Sequence, residues 1–220
     1  MKPRSKISIL LLAICQNAWA QAFVNLNFES AKVVFNGFQL SVSNALPGWT
    51  AYLDATSQSS IGYDTLSAGG AAVLLEDTNV NSFGPYPLQG TYGALLEGAS
   101  GIFGSNPTAA SIGQTGTIPN TAQSLTFFGS LAGNLQVTFN GQLLSFMVIS
   151  NTLNYTIWGA DISPYAGQTG QLLFTAPLQT GDLLDNIQFS SLPVPEPAEF
   201  ALAVLGALIL GFHYRRSHPC

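Results

Sequence analysis

The sequence predicts an all-β sandwich for its central span, residues 21–192, on three observations. Several stretches alternate apolar and polar residues with a period of two, and none before the tail sustains a helical period. Those stretches are short and are separated by turns rich in Gly, Ser, Thr and Asn, as in antiparallel two-sheet folds. The clearest unit is Leu135-Gln136-Val137-Thr138-Phe139 followed by Asn140-Gly141. That dipeptide supplies the two φ > 0 positions that a type I′ hairpin turn needs.

Taken in order, the elements begin with an export signal. Lys2, Arg4 and Lys6 form a positive start, and residues 7–15 are a run of nine that is apolar except for Ser8. Nine residues fall short of the roughly 20 that span a bilayer as a helix, but they suit the apolar part of a signal peptide. Ala18 and Ala20 flank Trp19 as small residues two apart, which places cleavage after Ala20. Strands are expected at 23–28, 33–40 (broken at Asn36-Gly37), 71–76, 94–97, 125–128, 135–139, 142–149, 155–158, 171–175 and 184–189. Residues 57–70 and 98–120 read as long Gly/Ser/Thr-rich loops, of a length that often goes with binding or mobility. There is no convincing internal repeat and no second domain, and 172 residues are enough for one sizeable core.

Composition excludes several functions. Within 21–192 the single basic residue is Lys32, against nine acids (Glu29, Asp54, Asp64, Glu76, Asp77, Glu97, Asp161, Asp182 and Asp185), a net charge of −8. Phosphate neutralisation needs several Lys or Arg, so nucleic acid is excluded as a partner, and anionic lipid surfaces are disfavoured. Cys15, Cys220, His213 and His218 all lie outside this span. A Ser-His-Asp triad, a thiolate nucleophile and a Cys/His zinc site therefore cannot be built there. Without disulfides, an exported domain must rest on its core or on a hard metal ion.

After the domain comes Pro193-Val194-Pro195-Glu196-Pro197, whose alternating prolines cannot join a sheet interior. Residues 198–214 are apolar apart from Glu199 and His213, and Arg215-Arg216 precede a short tail. As a helix, residues 200–214 reach about 22 Å, short of a hydrocarbon core of about 30 Å. Tyr214 and the arginines can extend that reach by snorkelling, and the arginine pair sets the C-terminus on the cytoplasmic side. A Pro-Glu-Pro motif, a marginal apolar helix and an arginine pair together resemble the PEP-CTERM sorting signal of Gram-negative bacteria. The resemblance implies an exosortase as partner, transit through the inner membrane, cleavage near Pro195-Glu196-Pro197 and delivery to the cell surface or extracellular matrix. The tail after Arg216 is slightly longer than usual for that class. A plain C-terminal anchor is the alternative reading.

The central span also resembles a known group. Asn25-Leu26-Asn27-Phe28-Glu29 followed by Leu46-Pro47-Gly48-Trp49 is similar to the opening of galactose-binding-like domains. Residues 135–141, residues 161–168 with Leu172 and Phe174, and Leu184-Asp185-Asn186-Ile187-Gln188-Phe189 match later steps of that pattern in order. The resemblance implies a jelly-roll sandwich of the kind found in carbohydrate-binding modules and many exported bacterial proteins. It also implies a structural Ca²⁺ held by Glu29 and Asp185 with backbone carbonyls, which suits an ion that takes six to eight hard oxygen ligands. Asn186 stands where a second acid is common, leaving the site one charge weaker.

Two further readings concern ligands and catalysis. Tyr52, Tyr63, Tyr86, Tyr92, Trp158 and Tyr165 are available to stack on sugar rings, although Trp49 and Trp158 occupy motif positions that are more often core. Asp54/Asp64 and Glu76/Asp77 are the nearest carboxylate pairs for glycoside chemistry. Adjacent strand residues face opposite sides, so Glu76/Asp77 is a poor pair. The sequence thus reads as a non-enzymatic exported sandwich, with a polysaccharide-binding module and a glycoside-acting enzyme as alternatives. The domain boundaries are 1–20, 21–192, 193–197, 198–214 and 215–220.

Overall fold

The computed structural model describes residues 21–34, 37–65, 67, 69–80, 86–100, 106–130 and 134–194. The signal-peptide residues Ala18 and Ala20, the motif Pro195-Glu196-Pro197, the apolar segment 198–214 and Arg215-Arg216 lie outside them. Among the described residues no helix is long and apolar enough to cross a membrane.

The chain forms β1 (Gln39–Ser41), one helical turn α1 (Val42–Ala45), β2 (Thr50–Leu53), β3 (Thr56–Gln58), β4 (Ser60–Tyr63), β5 (Ala72–Asp77) and β6 (Tyr92–Glu97). There follow β7 (Ala110–Thr117), β8 (Ser124–Gly129), β9 (Gln136–Phe139), β10 (Gln142–Leu143), β11 (Met147–Asn151), β12 (Thr156–Asp161), β13 (Thr169–Ala176) and β14 (Gly181–Ser190). Two sheets result, an eight-stranded one in the order β1-β4-β5-β6-β14-β8-β12-β11 and a six-stranded one in the order β10-β9-β13-β7-β2-β3. All pairs are antiparallel except β4–β5. The expected all-β, two-sheet architecture is what the chain adopts.

Alternation decides which residues meet between the sheets. Val73 and Leu75 of β5, Ala94 and Leu96 of β6, and Leu172 and Phe174 of β13 are buried in one core. Rings carry that core from one sheet to the other: Phe28 lies 5.8 Å from Trp49, Trp49 6.2 Å from Phe174, Phe174 5.5 Å from Phe127, and Phe127 5.0 Å from Phe146. The opposite residues of β5 and β6 face outward, where Leu74, Leu95 and Leu183 form a separate small cluster with Leu88 laid over it.

Several expected elements differ. Residues 23–28 are not a strand, because Asn25 (φ 50°) and Phe28 (φ 60°) turn the chain into the left-handed region. The segment is instead bound through side chains: Val24 N–H donates to Gln114 Oε1 (2.6 Å), Gln114 Nε2 donates to Val24 O (3.0 Å), and Trp49 Nε1 donates to Asn25 O (3.0 Å). Among the described residues of 33–40, only those from Gln39 onward enter a strand. The presumed loop 57–70 contains β4, and 98–120 contains β7, an eight-residue strand inside the small sheet. The Asn140-Gly141 hairpin forms as expected, with φ of 50° and 77°. Beyond it the run 142–149 divides, with β10 in one sheet and β11 in the other.

A bulge in β14 matters for the site. Its pairing with β8 shifts register between Asp185 and Gln188, and Asn186 takes φ 45°. Leu184 and Ile187 therefore both reach the core although they are three residues apart, while Asp185 is left on the outer side. Asn tolerates this backbone better than most residues, which gives Asn186 a structural role.

Candidate functional site

Glu29 and Asp185 come together on one loop. Glu29 follows the left-handed Phe28, and its Oε1 accepts hydrogen bonds from Thr91 N–H (2.8 Å) and Tyr92 N–H (3.0 Å). Asp185 is fully buried; its Oδ2 accepts from Gln89 N–H (2.8 Å) and its Oδ1 from Asn186 N–H (2.7 Å). Two carboxylates from opposite ends of the domain thus grip residues 89–92, the end of the β5–β6 connection. Gly90 between them has φ +67°, a backbone that favours glycine, and a Cβ there would push the Glu29 carboxylate aside.

Burial pushes the Asp185 carboxyl up to about 7; backbone donors at Gln89 and Asn186 oppose the shift and the charge of Glu29 adds to it. The arrangement offers one buried and one exposed carboxylate within electrostatic reach of each other. Among the described residues no group of three or more His, Cys, Asp or Glu side chains is arranged to hold a metal ion. A cation here would need backbone carbonyls and water for most of its shell. Asn186, which stands where the resembled pattern often has a second acid, accepts from Gln188 Nε2 through its Oδ1 (2.7 Å).

The carboxylate pairs read from sequence do not meet. Asp54 lies at the β2–β3 turn of the small sheet, where its Oδ1 accepts from Ala109 N–H (2.8 Å), whereas Asp64 follows β4 of the large sheet. Glu76 and Asp77 point to opposite sides of β5, as the strand period requires. Asp77 accepts from Tyr63 Oη (2.8 Å) and Asn79 N–H (2.7 Å) on the inner side. Burial, and the bond to Asp77, push the Tyr63 hydroxyl well above the ordinary tyrosine range.

The aromatics do not form one platform either. Trp49 and Tyr63 are buried, Tyr165 packs on Phe139 at 5.3 Å, and Tyr86 is exposed on the β5–β6 connection. Phe128 and Tyr155 stack at 4.4 Å, a pair the sequence did not single out.

A cleft of about 230 Å³ opens at one end of the sandwich, lined by Phe127, Leu135, Val137, Leu144, Phe146, Trp158 and Asp182. Asp182 is buried and accepts from Ser130 N–H (2.8 Å) and Asn134 N–H (2.7 Å). Burial raises its pKa and these donors hold it down. Trp158 Nε1 is buried without a hydrogen-bond partner. Trp158 is among the candidate stacking aromatics and stands at a motif position, whereas Asp182 has no local motif; the non-local approach of β12 and β14 to the β9–β10 hairpin brings the two to one cleft.

No family model and no curated protein matches this chain. Among solved structures it is similar to the Stig cyclase Fisc from Fischerella sp. TAU, solved in complex with (3Z)-3-(1-methyl-2-pyrrolidinylidene)-3H-indole, at 17% identity and a TM-score of 0.47 over 80% of this chain and 98% of that one. It is also similar to the enzymatically active domain of bacteriophage CBA120 tailspike protein 4, at 14% identity and a TM-score of 0.40 over 75% of this chain and 21% of that one. Both are likenesses at low identity, and no family is assigned from them.

Proposed function

We propose that this chain is an exported, non-enzymatic surface or matrix protein of a Gram-negative bacterium. In this reading a jelly-roll domain is delivered by the signal peptide 1–20. The transmembrane helix 198–214 holds it in the inner membrane until an exosortase processes it at Pro195-Glu196-Pro197. Glu29 and Asp185, sharing one loop, hold a structural Ca²⁺, and extracellular polysaccharide is the partner that such a location offers.

The observation that carries this reading is where the sandwich ends. β14 stops at Ser190, Ser124 Oγ donates to Leu192 O (2.7 Å), and Val194 packs over Gly159 of β12. The sorting motif begins at the next residue, so a cut there leaves both sheets as they are. Intact-mass analysis of the exported form is expected to give a chain that begins at Gln21 and lacks residues 200–220. A mature protein that retains those residues overturns the processing step.

The cleft favours a second reading, a carbohydrate-binding module. An apolar cleft with the Trp158 ring on its wall suits a sugar ring that stacks. Trp158→Ala removes that wall. An oligosaccharide found on a glycan array is expected to bind this variant at least about tenfold more weakly. Unchanged affinity would remove the cleft from consideration.

A further inference from the structure

The outer side of the large sheet carries a second set of acids, separate from Glu29 and Asp185. β4 and β5 run parallel, with Gly62 beside Leu74 and Tyr63 beside Leu75. One step further, Asp64 N–H donates to Leu75 O (2.9 Å), which brings the Asp64 side chain to Glu76. The two carboxyl groups lie within hydrogen-bonding reach of each other, and the charge of Glu97 on β6 also bears on Glu76.

Glu76 is 0% exposed and Asp64 4%. Neither Glu76 Oε1 nor Oε2 has a hydrogen-bond partner, and the same holds for Asp64 Oδ2 and Glu97 Oε2. These four are the only carboxylate oxygens among the buried side-chain atoms left without a partner in the described residues; the remaining such atom is Trp158 Nε1. Buried polar groups are normally satisfied, and buried acceptors need a donor or a cation. Two carboxylates in contact cannot both stay ionised unless something positive lies between them. One shared proton would satisfy part of the set, whereas a divalent cation would serve the oxygens of both residues.

We propose that Asp64 and Glu76 form a Ca²⁺ site on the outer side of the large sheet, with Glu97 adding negative charge from the neighbouring strand. Among the described residues no third acid converges on the pair, so backbone carbonyls and water complete the six to eight oxygens that Ca²⁺ takes. A site with so few charges belongs with extracellular modules, whose dissociation constants are about 10⁻⁴–10⁻³ M. Its role is to lock β4 to β5, the one parallel pair among the strands described.

The test is calorimetric titration of the purified full chain with calcium chloride, together with thermal melts in calcium and in chelator. The comparison is wild type, Glu29→Gln/Asp185→Asn, Glu76→Gln and Asp64→Asn. The double variant is expected to keep one binding event, and Glu76→Gln and Asp64→Asn each to weaken that event at least tenfold. Gln mimics protonated Glu, so Glu76→Gln folds, and its melt in chelator verifies this. If Glu76→Gln and Asp64→Asn both keep wild-type calcium binding and the wild-type calcium-induced rise in Tm, the pair holds only a proton and the proposal is overturned. Loss of all calcium binding in Glu29→Gln/Asp185→Asn overturns it too. Calcium binding that persists undiminished in that double variant but falls in Glu76→Gln removes the first site and upholds this one.

Discussion

Trp49→Ala is expected to destabilise the protein by about 3–5 kcal/mol, the range for truncating a large buried aromatic. Trp49 is 4% exposed, touches Phe28 and Phe174, and donates its Nε1 hydrogen to Asn25 O. It fastens residues 25–28, which belong to neither sheet, onto the small sheet. Domains of this size have about 5–15 kcal/mol in hand, so the loss is a large part of the total. Denaturant midpoints of wild type, Trp49→Ala and Trp49→Phe measure it. Trp49→Phe keeps much of the packing and loses the hydrogen bond, so it should fall between the other two. A change below about 1 kcal/mol for Trp49→Ala would mean that the ring is not the fastening described. Glu29 lies four residues beyond Asn25, so Trp49→Ala should also loosen the grip on residues 89–92.

In chelator, stability should fall as pH rises from about 5 to about 8. Burial, with the charges of Asp64 and Glu97, pushes the Glu76 carboxyl up to about 8 from an ordinary 4.5. Below 4.5 the folded and unfolded chains both hold this proton, and nothing is lost. Between 4.5 and 8 the unfolded chain releases the proton while the folded chain keeps it, so each pH unit favours unfolding by up to ~1 kcal/mol. Above 8 the loss is complete. Burial raises Asp185 and Asp182 as well, in the same direction. Thermal melts at several pH values measure the slope, and Glu76→Gln should flatten it. A Tm that rises toward pH 8 in the calcium-free wild type would contradict the burial assigned to Glu76.

The sequence revealed strands whose period of two was sharp and whose partners were near. Gln136–Phe139, joined to β10 by its Asn-Gly turn, is the example. β7 was hidden because Ala-Ser-Ile-Gly-Gln-Thr-Gly-Thr has no aromatic residue, one large apolar residue (Ile112) and two glycines, which strands disfavour. Its small residues are there because neighbours press on them: Phe23 lies over Gly116 and Leu173 over Gly113. Residues 23–28 misled in the opposite way. They alternate well, but two left-handed residues fold them into a loop. The meeting of Glu29 with Asp185 was legible through a family resemblance, since both stand at motif positions. That of Asp64 with Glu76 was not, because it follows from a parallel pairing that no local pattern announces. The sandwich-end cleft was equally silent, being made by strands far apart in the chain.

The position of β14 has a consequence for the order of events in synthesis. This strand is the last to leave the ribosome, yet it lies between β6 and β8 in the middle of the large sheet. Until it arrives, β1-β4-β5-β6 and β8-β12-β11 are two separate ribbons with open edges. The sheet therefore cannot close until about 190 residues have been made, and pairings this distant form slowly. Under the proposed export, such a topology gives the chain time to cross a membrane before it folds.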